Sequence, residues 1–227
     1  MACKNVVHSV IPIKKLTLTK SRLSAFLNPA ERTLLTLCML EDVIASCLAS
    51  KCFTKILVVS PDRAVGRAAE EHGALFIESH MGELNDDLVA GINWSIGSGA
   101  EAVLILPGDI PAITVDDIHA IFKLASPNPS IMISPSKNGG TNMLFLHPPN
   151  IIRPQFGLNS FEKHLKEAEK KGLELSIYES PRVALDIDSE VDLEEFIKLG
   201  ILDDLKNLNR TKRYLERVFS SREYSTK

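Results

Sequence analysis

Cysteine is scarce in this chain. The four present (Cys3, Cys38, Cys47 and Cys52) form no C-x-x-C pair and have no histidine motif beside them, which argues against zinc and for free thiols in a reducing compartment. The six histidines are scattered, and no H-E-x-x-H occurs. Charge of one sign is also lacking: a formal net charge of -3 gives no electrostatic case for nucleic acid or an anionic membrane as partner. No Walker A sequence is present, no glycine-rich dinucleotide turn, no internal repeat and no clear linker. No apolar run approaches the length of a membrane span, and the opening "MACKNVVHSVIPIKK" lacks a signal-peptide cleavage pattern. These absences lead to the expectation of a soluble, cytoplasmic protein in which residues 1–219 form one domain and 220–227 a flexible tail.

The 227 residues, 44% hydrophobic and 24% charged, are enough for a full core. Apolar runs at 6–13, 55–60, 74–79 and 102–106 read as strands. They alternate with amphipathic segments: 31–49, begun by Pro29; 62–73, stopped by Gly73; 84–97; and one near 114–125. Such alternation predicts a parallel sheet with helical crossovers. After residue 126, "SIMISPS" and "TNMLFLHPP" flank "KNGG" and read as a strand pair joined by a glycine-rich loop. A helix over 159–172 follows, with Asn159 and Glu162 spaced as a capping box. A strand at 173–180, an extended piece at 185–188 and a further helix complete the pattern. The tail carries Leu202, Leu205, Leu208, Leu215, Val218 and Phe219 at helical spacing, suited to folding back on the core or to a homodimer contact.

Four groups of residues could carry chemistry. In "AVLILPGDIPAIT" an aliphatic strand runs into two prolines and a glycine, fixing Asp109 at a strand's carboxyl end. Ligands of open α/β sheets bind there, although aspartate also serves plain turns. "IPIKKLTLTKSRL" puts Lys14, Lys15, Lys20 and Arg22 after the first strand, either a cradle for nucleotide phosphates or a solvated face. "NGGTN" and "FGLNS" offer the Thr141 hydroxyl, Gly157 and Ser160 around a helix start, where free N–H groups favour an anion. In "LDIDSEVD", Asp186 and Asp188 alternate toward one side, and Ser189 with Asp192 caps the next helix. Paired acids there repel unless a cation compensates them.

Together these pieces resemble the nucleotidyltransferases of the glycosyltransferase-A type. More narrowly, "PIKKLTLTKSRLSAFLNPAERTLL", "LPGDIP", "GGTNMLFL" and "FGLNSFEKHLKEA" resemble the 2-phospho-L-lactate guanylyltransferase family of coenzyme F(420) biosynthesis. The resemblance implies a Rossmann-like three-layer α/β fold with a mostly parallel sheet and a smaller added strand pair. It implies transfer of GMP from GTP to 2-phospho-L-lactate with release of pyrophosphate. Asp109 and Asp188, with Asp186 as the weaker candidate, match the ligands of a magnesium ion. Lys14, Lys20 and Arg22 fall in the nucleotide-phosphate loop, Lys20 also serving catalysis. Asn85 in "GELNDDL" matches a nucleobase contact, and Thr141, Gly157 and Ser160 match the positions that hold the phosphorylated acid. One departure stands out: the superfamily's G-x-G-T-R loop is absent, and Ser9 to Pro12 takes its place. Phosphoenolpyruvate or another acceptor, and a non-catalytic nucleotide-binding subunit, remain open alternatives.

Overall fold

The apolar runs assemble into one seven-stranded sheet ordered β3-β2-β1-β4-β6-β5-β7. The strands are β1 (Val7–Pro12), β2 (Lys55–Ser60), β3 (Leu75–Glu78), β4 (Ala102–Ile105), β5 (Ser130–Pro135), β6 (Thr141–His147) and β7 (Glu174–Ile177). The structure is a computed structural model that describes residues 6–79, 82–202 and 210–223. Cys3, Leu205, Leu208 and the last four positions of the expected tail lie outside the described residues. Among the described residues, only strand β6 runs against the rest, antiparallel to both β4 and β5. The expected strand pair, β5 and β6, is hydrogen-bonded into the same sheet between β4 and β7. β1 and β4 are buried along their whole length, which is why they read as unbroken apolar runs rather than alternating ones.

Helices α1 (Pro29–Ser50), α2 (Arg63–Glu71) and α4 (Val115–Leu124) cover one face, through Leu40, Val43, Val65, Ala69, Ile118 and Ile121. Helices α3 (Leu84–Gly97) and α5 (Ser160–Lys170) cover the other through Leu88, Ile92 and Ala168. A third apolar cluster lies on the outer side of α1, where Leu35 and Met39 meet Phe196 of α6 (Glu190–Leu202) and Leu215 and Val218 of α7 (Arg210–Glu223). Being covered on both sides, α1 must be apolar on both. By length and composition it would pass as a membrane span, contrary to the expectation that no run approaches that length. Here half of that window is buried inside the fold.

The start of α1 follows its sequence signals. Asn28 Oδ1 accepts from Glu31 N at 3.0 Å, Glu31 Oε2 accepts from Asn28 N at 2.7 Å, and Pro29 opens the first turn. The tail folds back on this helix. Asp42 caps α7, accepting from Arg210 N at 2.8 Å, Thr211 N at 2.9 Å and Thr211 Oγ1 at 2.7 Å. Leu215 and Val218 are therefore covered within the chain, and α7 continues to Glu223, past the residue where the sequence suggests a flexible tail.

One sequence signal fails. Asn159 precedes α5 in the left-handed region (φ 54°) and makes no capping bond. The left-handed turn carries its side chain away from the first free N–H groups. Ser160 N donates instead to Gly157 O at 3.1 Å and Phe161 N to Gly139 O at 3.3 Å, while Glu162 pairs with Lys166 at 2.7 Å.

The segment after β7 is anchored by a buried carboxylate. Asp117, with a side chain 0% exposed, accepts from Thr114 Oγ1 (2.6 Å), Tyr178 OH (2.9 Å), Ser180 Oγ (2.8 Å) and Arg182 Nε (2.8 Å). Burial alone would raise its pKa, but Arg182 and the hydroxyl donors hold it below the usual carboxylate range. Its stabilisation is therefore complete above the unfolded value of about 3.9 and is lost as pH falls through the lower folded value. Asp117→Asn should cost about 3 kcal/mol, as removing one partner of a buried ion pair does. It should also flatten the acid limb of the stability–pH curve, read by urea midpoints between neutral pH and pH 3.

Candidate active site

Beyond β1 the chain makes two short 3-10 turns, Leu16–Leu18 and Ser21–Leu23, with Lys20 between them. Thr19 Oγ1 ties the first turn, donating to Leu16 O at 2.8 Å and lying 3.1 Å from Thr36 Oγ1 on α1. Lys20 itself is left-handed (φ 54°), a conformation costing a non-glycine residue about 1–2 kcal/mol. It aims the side chain inward: only 4% of that side chain is exposed. Its ammonium donates to Asp109 Oδ2 and Asp188 Oδ1, each at 2.8 Å.

Each acid is delivered by a different device. Asp109 follows β4 through Pro107 and Gly108, and a Cβ on Gly108 would run into the Ile13 side chain, so glycine lets the loops after β1 and β4 close on each other. Asp188 arrives on the extended piece after Leu185, which docks by Ile187 N donating to Asp109 O at 3.0 Å. This piece joins no strand of the sheet, yet Asp186 and Asp188 do face the same cleft. Asp192 then caps the helix, accepting from Ser189 N and Ser189 Oγ at 2.7 Å. The cleft, about 350 Å³, is rimmed by Lys14 and Arg22 and walled by Leu84, Asn142 and Phe156.

Electrostatics follow from this packing. Burial would lower the Lys20 pKa, but the two carboxylates outweigh it and raise it. Burial would raise Asp188, and Lys20, Arg22 and Lys14 hold it low instead. Asp186 accepts from Asn142 Nδ2 at 3.0 Å; burial and the charges of Asp109 and Asp188 push it up. Asp109 Oδ1 is buried and has no hydrogen-bond partner. The orphaned Asp109 oxygen, with Asp186 and Asp188 lining the same cleft, offers oxygen donors of the kind a hard divalent cation takes. Among the described residues, however, no three acidic, histidine or cysteine side chains are drawn together as a ligand set. Lys20 stands between two of the expected ligands.

Other expected site residues are placed differently. Asn85 does not reach the cleft lining. Its Oδ1 accepts from Phe156 N at 2.8 Å and its Nδ2 donates to Phe156 O at 3.1 Å, so its amide is used on backbone and not on a base. The Thr141 hydroxyl is buried against His164 Nδ1 at 3.0 Å. Gly157 is exposed with φ 121°. Ser160 is 1% exposed, and its hydroxyl has no partner. In the glycine-rich loop, Gly139 takes φ 75°, and Gly140 passes where a Cβ would sit 2.7 Å from Ser136 Oγ. Asn142, Phe156 and His164 were not singled out from sequence. The signal for His164 is only its i+4 spacing from Ser160 along the buried stripe of α5.

The chain matches the family described as CofC-like guanylyl transferases over residues 7–224. It belongs to that family. One relative, the phosphoenolpyruvate guanylyltransferase of Rubrobacter xylanophilus, is 40% identical over 188 residues, covering 82% of this chain and 91% of the relative. The 2-phospho-L-lactate guanylyltransferase of Methanoculleus marisnigri is 33% identical over 209 residues, 92% of this chain and 87% of the relative. Among solved structures, a nucleotidyl transferase from Methanothermobacter thermautotroptrophicus superposes with a TM-score of 0.65 at 14% identity, covering 86% of this chain and 99% of the other. The chain is thus a nucleotidyltransferase of a guanylyltransferase family, with the Rossmann-like fold of that class. The lysine-bridged acids of this CofC-like chain should matter for stability as well as chemistry. Lys20→Met leaves two carboxylates facing each other, and, because Asp188 is 41% exposed and water screens it, the expected loss is about 1–3 kcal/mol. A thermal melt of the variant checks this.

Proposed function

We propose that this chain transfers GMP from GTP to a phosphorylated three-carbon acid, phosphoenolpyruvate or 2-phospho-L-lactate, releasing pyrophosphate as a step toward coenzyme F(420) in the cytoplasm. The observation that carries this reading is the Lys20 ammonium bridging Asp109 and Asp188 in a cleft at the carboxyl ends of β1 and β4, with Lys14 and Arg22 at its rim. Phosphoenolpyruvate stands first of the two acids, because the 40% identical relative carries that name and the 33% identical one carries the other.

The acid's phosphate is ionised at neutral pH and needs no base to attack the α-phosphorus of GTP. The P–O bond to the β-phosphate breaks, and its electron pair leaves on pyrophosphate. Rate enhancement then comes from alignment and from charge neutralisation. Lys14 and Arg22, both exposed at the rim, receive the triphosphate, arginine by its bidentate fork and lysine as a point charge. Lys20 supplies a fixed positive charge beside the reacting phosphates, held in place by its two carboxylates. Magnesium bound by Asp109 and Asp188, with Asp186 beside them, would neutralise phosphate oxygens and fix their orientation. The acid is received at Thr141, Gly157 and Ser160, where the Ser160 hydroxyl has no partner, the Gly140 turn passes close by and the start of α5 favours an anion. Asp186 behind Asn142 keeps that amide oriented across the cleft.

The test is pyrophosphate release with magnesium, each nucleoside triphosphate being tried against both acids. Release with GTP and one acid is the expected result, and Asp109→Asn should lower it at least about a hundredfold while leaving the fold intact. Near-normal turnover in a folded Asp109→Asn protein would remove Asp109 from the reacting centre.

A further inference from the structure

His164 has no role in the reaction as described, yet its position is unusual. It lies on α5 with 0% exposure, and both ring nitrogens are engaged. Gln155 N–H can only donate, so Nε2, 2.9 Å away, must accept. Burial, with a smaller push from Lys163, drops the His164 pKa to about 4, so the ring is neutral at working pH and carries its one proton on Nδ1. That proton is donated to Thr141 Oγ1 at 3.0 Å. The Thr141 hydroxyl thereby accepts through a lone pair and keeps its own hydrogen for donation. The edge-to-face ring of Phe156, 5.5 Å away at 70°, packs on the imidazole. Asn85 of α3 grips the Phe156 backbone by two hydrogen bonds.

Two segments beside the cleft are therefore joined through one side chain. The first is 155–157, which carries Phe156 in the cleft wall. The second is the start of β6, where Thr141 precedes the cleft residue Asn142. We propose that His164 is a positioning residue for the phosphorylated acid: with Asn85 as its counterpart it sets the spacing between Phe156 and the Thr141–Asn142 strand end, and so the fit of the acid rather than of the nucleotide. The inference rests on the reading that the acid binds at Thr141, Gly157 and Ser160. The rim formed by Lys14 and Arg22 touches neither segment in the hydrogen-bond network, so GTP should be indifferent to it.

Two substitutions separate the two bonds. The amide of His164→Asn can reach Thr141 from the Nδ1 position but leaves Gln155 N–H without its acceptor; the longer His164→Gln can restore that acceptor. Amide hydrogen exchange of the folded proteins should show residues 155–157 opening faster in His164→Asn and returning toward wild type in His164→Gln. In steady-state kinetics, His164→Asn should raise KM for the acid by at least about tenfold, the scale of one orphaned buried donor. KM for GTP should stay within about twofold, and His164→Gln should recover most of the loss. Unchanged exchange at 155–157 in His164→Asn would overturn the clamp. A rise in both KM values together would overturn its assignment to the acid. Should the wild-type chain turn over neither acid, the functional reading falls, and the exchange comparison still decides whether the clamp exists.

Discussion

The ammonium of Lys20 between Asp109 and Asp188 is the contact on which the rest of the site depends. Two carboxylates at the mouth of a buried sheet would repel. A fixed positive charge between them offsets that repulsion, helps hold the Asp188 carboxyl below its usual range and draws together three stretches of chain that are distant in sequence. The arrangement holds Lys20 in a left-handed conformation, a local cost tolerated where the surroundings over-determine it. It also leaves one Asp109 oxygen buried without a partner, so the centre is not saturated.

The fold serves this junction through its neighbours. β1 and β4 lie side by side, so the loops that leave them, one carrying Lys20 and the other Asp109, emerge together. The antiparallel β6 on the far side of β4 brings Asn142 and Thr141 to the same end of the sheet. The last component, the 185–188 piece, belongs to no strand. The Asp117 network holds the chain just before it, and the bond from Ile187 to Asp109 sets its height. α6 and α7 then close over α1, sealing the apolar side of the same turns through Leu23 and Leu27.

Much of this was legible in the residues, for identifiable reasons. Buried parallel strands are continuous apolar runs, so β1, β2 and β4 were readable, and α3 falls on the residues expected for it. Asp109 was legible because prolines and a glycine after such a run leave a carboxylate little freedom. What could not be read was anything decided by a partner far along the chain. Lys20 looks like a surface lysine until residues 89 and 168 positions away enclose it. Asn85 carries the right group, but the backbone of Phe156 takes it up, and the Thr141 hydroxyl is oriented by the ring of His164. Asn159 and Glu162 have the spacing of a capping box, which the left-handed turn before α5 overrides. Spacing along a helix assumes that the helix begins in the ordinary way, and here a glycine-closed turn begins it.

The central claim is that the lysine-bridged acids are where the triphosphate and the acid's phosphate meet. A crystal structure with magnesium, GTP and an unreactive analogue of the acid tests it most directly. The account predicts the triphosphate along Lys14 and Arg22, with its α-phosphate and the analogue's phosphate within hydrogen-bond reach of the Lys20 ammonium. Nucleotide bound away from this cleft, with Lys20, Asp109 and Asp188 all out of contact with either ligand, would contradict it.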